Sequence, residues 1–259
     1  MTSLTPDQLA AYDRDGFTVM RQVFSSNECD RFIEHMMDLH RGAKTLEGFA
    51  PREPGSPGEW GRTFNQHLYD PKAMDLLLHP RLREPLSQCY DDEPEGIQTM
   101  YFYVGSTQRR HQDQYYLPAC MSAWIALTDV SEDNGTIWVQ PGSHKGHLVT
   151  AKELHDTHGQ DFSIGEVYND AADAVFDVNH RQLGLPEVPV EVNAGAVVFF
   201  HGVLIHRGGP IRRPGSFRHV MANHYLPYSF DDWPYRDWAR FTFDRVKRFT
   251  GPRPTEAKA

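Results

Sequence analysis

The sequence predicts a mainly β protein, an antiparallel sandwich or barrel, preceded by a helical segment. After residue 96, short runs rich in Val, Ile, Tyr, Phe and Thr are separated by turn residues, with no helix regularly between them. That pattern favours an antiparallel over a parallel sheet. Before residue 96, apolar residues recur at helical spacing. The length of 259 residues fits one domain, because sandwiches and barrels with added helices reach this size.

Capping boxes open the first two predicted helices. TPDQ at 5–8 combines a capping threonine and glutamine with proline at the first helical position, and Gly16 ends that helix. A strand-like segment at 17–24 follows. SSNE at 25–28 opens a second helix that runs to Gly42 and turns an apolar stripe towards the core.

A loop and a third helix complete the helical part. Residues 49–62 are rich in Pro and Gly, so they predict a loop, and Arg52 and Trp60 within it could cover a site. Residues 71–90 predict a helix that is interrupted near Pro80. We therefore expect residues 1–95 to support the β part.

The predicted strands occupy residues 96–227, with an insertion at about 151–185 that we expect to lie over the mouth of the barrel. Residues 228–259 form a C-terminal tail. The strand-like segments share β-branched and aromatic residues and lie at 97–104, 120–130, 135–141, 188–192, 196–206 and 217–227.

Composition limits the partners. A formal net charge of −9 opposes nonspecific binding to nucleic acid or anionic membranes, so a small-molecule partner is favoured and no obligate protein partner is evident. Three cysteines form neither a CxxC pair nor a disulfide framework, and the chain shows no signal peptide or apolar run of transmembrane length. A cytoplasmic location is expected.

His111 and Asp113 are candidate metal ligands. In an extended segment alternate side chains share a face, so both can reach one point while Gln112 faces away. A third ligand is sought among His201 and His206, which in a regular strand face opposite sides. His206 is preferred because glycines follow it and leave room for a ligand, whereas His201 lies deeper in its strand.

Two histidines and one carboxylate make a facial triad, which binds Fe(II) and leaves coordination positions open. The same ligands could hold Zn²⁺ in a hydrolase, so a cosubstrate anchor is needed to discriminate. Arg218 follows a turn after His206 and could grip a carboxylate in a bidentate manner.

These residues resemble the phytanoyl-CoA dioxygenase-like (PhyH) branch of the Fe(II)/2-oxoglutarate dioxygenases. The resemblance covers about the second half of the chain and implies a double-stranded β-helix, also called a cupin-like jelly roll, braced by the N-terminal helices. The matching stretches, in family order, are HQDQYYLP, AWIALTDVSEDNGTIWVQPGSHKGH, FFHGVLIHRGGP and GSFRHV.

Carried over by position, His111, Asp113 and His206 would be the iron ligands, and Arg218 would bind the distal carboxylate of 2-oxoglutarate. The resemblance places three further residues near the cosubstrate: Gln112, Trp124 and Gly208. Many relatives have Lys-Pro-Gly before the HQD segment, whereas this chain has a shorter link; Gln98 could supply a neutral hydrogen bond there instead. Asp113 argues against halogenation, because related halogenases have a small residue at this position.

The resemblance implies a hydroxylase that uses Fe(II), 2-oxoglutarate and O₂, and releases succinate and CO₂; desaturation, ring formation and epimerisation remain possible outcomes. The alternatives are a cupin-like isomerase or hydrolase that uses the same ligands without a cosubstrate, and a binding module without turnover. Candidate substrate contacts are Arg52, Trp60, Tyr101, Tyr103, Tyr115, Tyr116, Asn223, His224 and the aromatic segment 228–238.

Overall fold

The computed structural model describes residues 3–50, 62–159, 164–235 and 237–249. The helices are α1 (Pro6–Asp15), α2 (Ser26–His40), α3 (Pro71–Leu77), α4 (Pro80–Tyr90), α5 (Ala151–His158) and α6 (Ile164–Leu183). The strands are β1 (Phe17–Met20), β2 (Pro94–Phe102), β3 (Met121–Ala126), β4 (Ile137–Val139), β5 (Val188–Pro189), β6 (Val197–His201), β7 (His206–Gly208), β8 (Val220–Pro227), β9 (Arg240–Thr242) and β10 (Lys247–Arg248).

The predicted helix starts are confirmed. Thr5 Oγ1 accepts the N–H of Gln8 at 3.2 Å, and the Gln8 side chain accepts the N–H of Thr5 at 2.9 Å. Ser25 and Glu28 form the same reciprocal pair at α2. Gly16 ends α1 in a left-handed conformation, with φ of 80°.

Two antiparallel sheets form the β part. The larger has strand order β1-β6-β3-β8-β2-β9-β10, and the smaller has order β5-β4-β7. The predicted strand at 196–206 is not one strand, and that expectation was wrong. β6 ends at His201 in the large sheet, the chain turns, and β7 begins at His206 in the small sheet. His201 Nδ1 accepts the N–H of Val203 at this turn.

Both faces of the large sheet are covered. One apolar cluster lies between this sheet and the N-terminal helices and includes Leu77 of α3, Tyr101 and Phe199. A second cluster lies between the two sheets and includes Trp124 and Val198. The helices therefore brace one sheet from outside, while the interior between the sheets is left for the site.

The C-terminal tail contains two strands that were not predicted. β9 pairs with β2, and β10 with β9, so the tail extends the edge of the large sheet. The fully buried carboxylate of Glu95 pairs with Arg240 at 2.6 Å and with Arg248 at 2.8 Å. A buried carboxylate needs such partners, and these two hold the tail to β2.

The cysteines and the helices give two further observations. All three cysteines are free thiols, and Cys29 and Cys120 are buried. Within the described ranges, none of the helices combines the length and apolar character that spanning a bilayer requires.

Candidate metal centre and adjoining cavities

Three polar side chains meet at one buried point between the two sheets. His111 and His206 pair through their backbones, with N···O distances of 2.9 and 3.1 Å. Each imidazole Nε2 lies 3.7 Å from Asp113 Oδ1, and the potential ligand atoms all lie within 4.8 Å of one another. Ligand bonds of about 2 Å place donor atoms about 3 Å apart, so modest closure around an ion would complete this cluster.

The backbone orients both imidazoles. His111 Nδ1 lies 2.9 Å from the carbonyl oxygen of Arg109, and His206 Nδ1 lies 2.9 Å from that of Leu204. With Nδ1–H donating to these carbonyls, each Nε2 offers its lone pair to the shared point. Burial lowers the pKa of His111 to about 3, so this ring is neutral at physiological pH, as a metal ligand must be.

The two oxygens of Asp113 have different surroundings. Ser122 Oγ donates to Oδ2 at 2.9 Å, and His224 Nε2 lies 3.3 Å from the same oxygen. Oδ1 faces the two candidate ligand histidines. Burial alone would raise the pKa of Asp113, but His206, His224 and His111 together hold it well below its usual range. The carboxylate is therefore ionised, with one oxygen fixed and the other directed at the cluster.

Arg218 is a buried cation without a carboxylate. Its side chain is 1% exposed, and Nη1 donates to the Gly135 carbonyl, whereas Nε has no partner. Among the described residues no acidic side chain pairs with it. Burial lowers the pKa of Arg218 to about 10, so it stays protonated at neutral pH. A buried unpaired guanidinium costs several kcal/mol, so this site calls for an anion.

The anion would lie in a small pocket shared with the metal cluster. The pocket has a volume of about 50 Å³, and the ring of Trp124 lies 5.4 Å from Arg218 Cζ. Gly208 forms part of the wall, where a Cβ would come within 1.6 Å of the Ser106 carbonyl oxygen, so only glycine fits. Trp124 and Gly208 thus lie at the pocket that the resemblance associated with a cosubstrate.

Gln112 does not reach this pocket. Its Nε2 donates to the carbonyls of His147 and Val203 at 2.9 Å, and its Oε1 accepts the N–H of Val149 at 3.0 Å. The expectation that it lies near a cosubstrate is corrected, because both ends of its amide are used to satisfy buried backbone groups. It braces the HQD segment.

Three of the predicted substrate contacts lie on the face of the large sheet that the helices cover, and not on the face towards the metal cluster. Tyr101 Oη lies 2.7 Å from His219 Nδ1, and Tyr103 packs within the helix-facing cluster. Asn223 Nδ2 donates to the Leu76 carbonyl of α3 at 3.2 Å. Tyr101 and Asn223 lie on strands that are buried on both faces, so alternation places these two side chains against the helices and the residues next to them along each strand in the interior.

Tyr115 is also displaced from the cavity. Its ring stacks on Tyr168 of α6 at a centroid distance of 3.7 Å, while the adjacent Tyr116 lines the cavity instead. Arg52 and Trp60 lie outside the described residues, so their predicted role stays a prediction.

A larger cavity of about 420 Å³ opens outward from the metal cluster. Gln98 lines this cavity rather than the small pocket. Sequence reasoning placed Arg62 at the end of a loop that could cover a site but did not name it as a substrate contact, and it missed Gln108, because neither residue belongs to a motif. The lining residues are Arg62, Phe64, Gln98, Met100, Gln108, His111, Asp113, Tyr116, Leu117, His224, Tyr235 and Trp238.

Glu187, which follows the insertion at about 151–185, braces the metal cluster from outside. The expectation that the insertion lies over the barrel mouth stays a prediction. Arg110 precedes His111, Arg207 follows His206, and both guanidiniums bind the carboxylate of Glu187, just after α6. Their closest N···O distances to Glu187 are 3.0 and 2.6 Å. One carboxylate therefore ties together the chain neighbours of both histidines.

Glu187→Gln should weaken metal binding by about tenfold, because glutamine keeps the size of the side chain but loses the charge that holds two guanidiniums. Calorimetric titration of the apoprotein with Co(II) measures this. Asp75→Asn, which removes an exposed ion pair with Arg245, is the matched control and should leave Co(II) affinity unchanged. Equal affinity in Glu187→Gln and the native protein would contradict the bracing role.

Two antiparallel sheets enclosing two histidines and one aspartate define a cupin-type jelly-roll protein with a candidate mononuclear metal site. The sequence profile of the family described as Phytanoyl-CoA dioxygenase (PhyH) matches residues 12–220. The chain belongs to this family, as its sequence motifs predicted.

Relatives agree with this membership. Phytanoyl-CoA dioxygenase 1 of Oryza sativa subsp. japonica is 26% identical, over 91% of this chain and 94% of its own. Among solved structures, EctD from S. alaskensis with 2-oxoglutarate and 5-hydroxyectoine has a TM-score of 0.65 at 21% identity, covering 87% of this chain and 77% of that one. The α-ketoglutarate-dependent epimerase SnoN from nogalamycin biosynthesis has a TM-score of 0.62 at 18% identity, covering 96% and 95%. The predicted double-stranded β-helix is confirmed.

Proposed function

We propose that this protein is a non-haem Fe(II)- and 2-oxoglutarate-dependent oxygenase that hydroxylates a small-molecule metabolite and releases succinate and CO₂. The observation that carries the proposal is the unpaired, buried guanidinium of Arg218 in the same pocket as His111, Asp113 and His206. Membership of a dioxygenase family supports it.

The residues present fit both groups. His111, Asp113 and His206 would hold Fe(II), and Arg218 would bind the distal carboxylate of 2-oxoglutarate. Iron with 2-oxoglutarate and O₂ supplies the oxidising power to functionalise an unactivated C–H bond. Gly208 allows the Ser106 backbone to close the pocket wall beside the cluster, and Trp124 gives the pocket an apolar surface, which strengthens the attraction between Arg218 and a carboxylate.

Hydroxylation is proposed because it requires of the chain only that a substrate C–H bond be held beside the metal and that water be excluded. A carboxylate at position 113 disfavours halogenation, since it fills the place that a halide would need. The free thiols suit a reducing compartment, and we place the protein in the cytoplasm.

Anaerobic addition of Fe(II) and 2-oxoglutarate should produce a weak visible charge-transfer band, and admission of O₂ with substrates from a metabolite library should release succinate. Zn(II)-loaded protein is the control and should give neither signal. A cupin-like isomerase or hydrolase would instead turn over without O₂ or 2-oxoglutarate. Absence of the band, together with turnover under strict anaerobiosis, would reverse the proposal.

A further inference from the structure

The cavity outside the metal cluster has a chemistry that specifies its ligand. We infer, on the basis of the proposed function, that the substrate is a monoanion with a carboxylate on an apolar body, and that Arg62 binds the carboxylate. The inference rests on the walls of the cavity, on its charges and on its volume.

The walls call for an apolar body. Three large aromatic side chains that line the cavity are exposed to solvent: Phe64 is 46% exposed, Tyr116 41% and Tyr235 40%. The floor adds Met100 and the wall adds Leu117. Aromatic and aliphatic faces around a concavity next to a reactive centre are the usual lining of a site for a small molecule.

The charges call for an anion. Arg62 Nη1 donates to the neutral Gln108 Oε1 at 3.1 Å, and within the described residues no carboxylate pairs with this guanidinium. Asp113 is the one acidic side chain among the cavity-lining residues named above, and its oxygens face the histidines and Ser122. A cationic substrate would therefore find no free partner, whereas a carboxylate would find a planar donor of matching geometry.

The sum of the charges around the two cavities indicates that the substrate anion carries one negative charge. The Phe102 ring centroid lies 5.9 Å from Arg62 Cζ and 5.7 Å from Arg218 Cζ, so two guanidiniums share one aromatic neighbour. A divalent ion, Asp113, both arginines and the 2-oxoglutarate dianion leave one positive charge in excess. A monoanionic substrate cancels this excess, with its carboxylate at the solvent-exposed Arg62 and its apolar body towards the buried metal cluster.

The volume of about 420 Å³ lies in the range of about 300–1,000 Å³ that is typical of small-molecule sites, so the body of a small carboxylic acid fits inside the cavity.

The test compares 3-phenylpropanoate with 3-phenylpropanamide, which have the same shape but differ in charge. Dissociation constants are measured by ligand-observed NMR on Zn(II)-loaded protein, with saturating 2-oxoglutarate to occupy Arg218. We expect the acid to bind at least about tenfold more tightly than the amide, and Arg62→Gln to reduce this ratio to about one. Arg245→Gln, which alters an exposed arginine paired with Asp75, is the matched control and should keep the native ratio.

Each other outcome overturns the inference. Equal affinities in the native protein, or no binding of either probe, would show that the cavity does not select an anion. A ratio that survives Arg62→Gln but disappears in Arg218→Leu would place the carboxylate at Arg218 and not at Arg62. These readouts need neither Fe(II) nor O₂, so failure of the charge-transfer band would reject the proposed oxygenase independently of the probe result.

Discussion

Arg218→Leu should weaken 2-oxoglutarate binding by about 100-fold or more and abolish succinate release, while Co(II) binding persists. Truncating one partner of a buried charge pair costs about 2–5 kcal/mol, and leucine can occupy the space beside Phe102 and Trp124 without a charge. Fluorescence or calorimetric titration of the metal-loaded variant with 2-oxoglutarate measures the loss.

The same variant distinguishes a binding role from a structural one. Because Arg218 is buried without a carboxylate, its removal should leave the melting temperature of the apoprotein unchanged or higher. Arg218→Lys keeps the charge but loses the fork geometry, so it should retain only part of the 2-oxoglutarate affinity. A large fall in melting temperature with 2-oxoglutarate affinity intact would mean that Arg218 serves only its bond to Gly135.

Asp113→Ala should reduce metal affinity by more than about 100-fold and remove succinate release. Loss of a partner that merely orients a ligand costs about 10–100-fold, and loss of the one charged ligand costs more because two neutral imidazoles cannot neutralise a divalent ion. Titration of the apoprotein with Co(II), followed by its absorption bands, reports both affinity and coordination geometry.

Asp170→Asn is the control for Asp113→Ala, since it removes an exposed carboxylate, 72% open to solvent, that pairs with Arg109 in the same region. It should bind Co(II) like the native protein. Circular dichroism checks that both variants are folded. Native Co(II) affinity and band positions in Asp113→Ala would eliminate Asp113 as a ligand and, with it, the proposed metal centre.

Local chemistry explains why much of the fold was predictable. A capping box marks the start of a helix, and in α1 a proline at the first helical position marks it as well. Both α1 and α2 therefore begin where the sequence predicted. Runs of β-branched and aromatic residues predicted β2, β3 and β8, because this preference for strands is also a local property of the sequence. β9 and β10 were missed because strands of two or three residues at a sheet edge carry too little periodicity to be recognised.

The sequence by itself determined the family and the HQD motif, because these depend on spacing along the chain. Only the tertiary structure decided which face of each strand looks into the interior. Alternation predicts that Gln98 and Tyr101 of β2 point to opposite faces, but a strand covered on both sides lacks the polar and apolar contrast that would show which face is the interior one. The roles of Arg62 and Glu187 were hidden for a related reason. A cation at a cavity and a carboxylate bridging two arginines depend on contacts between distant segments, which no local pattern records.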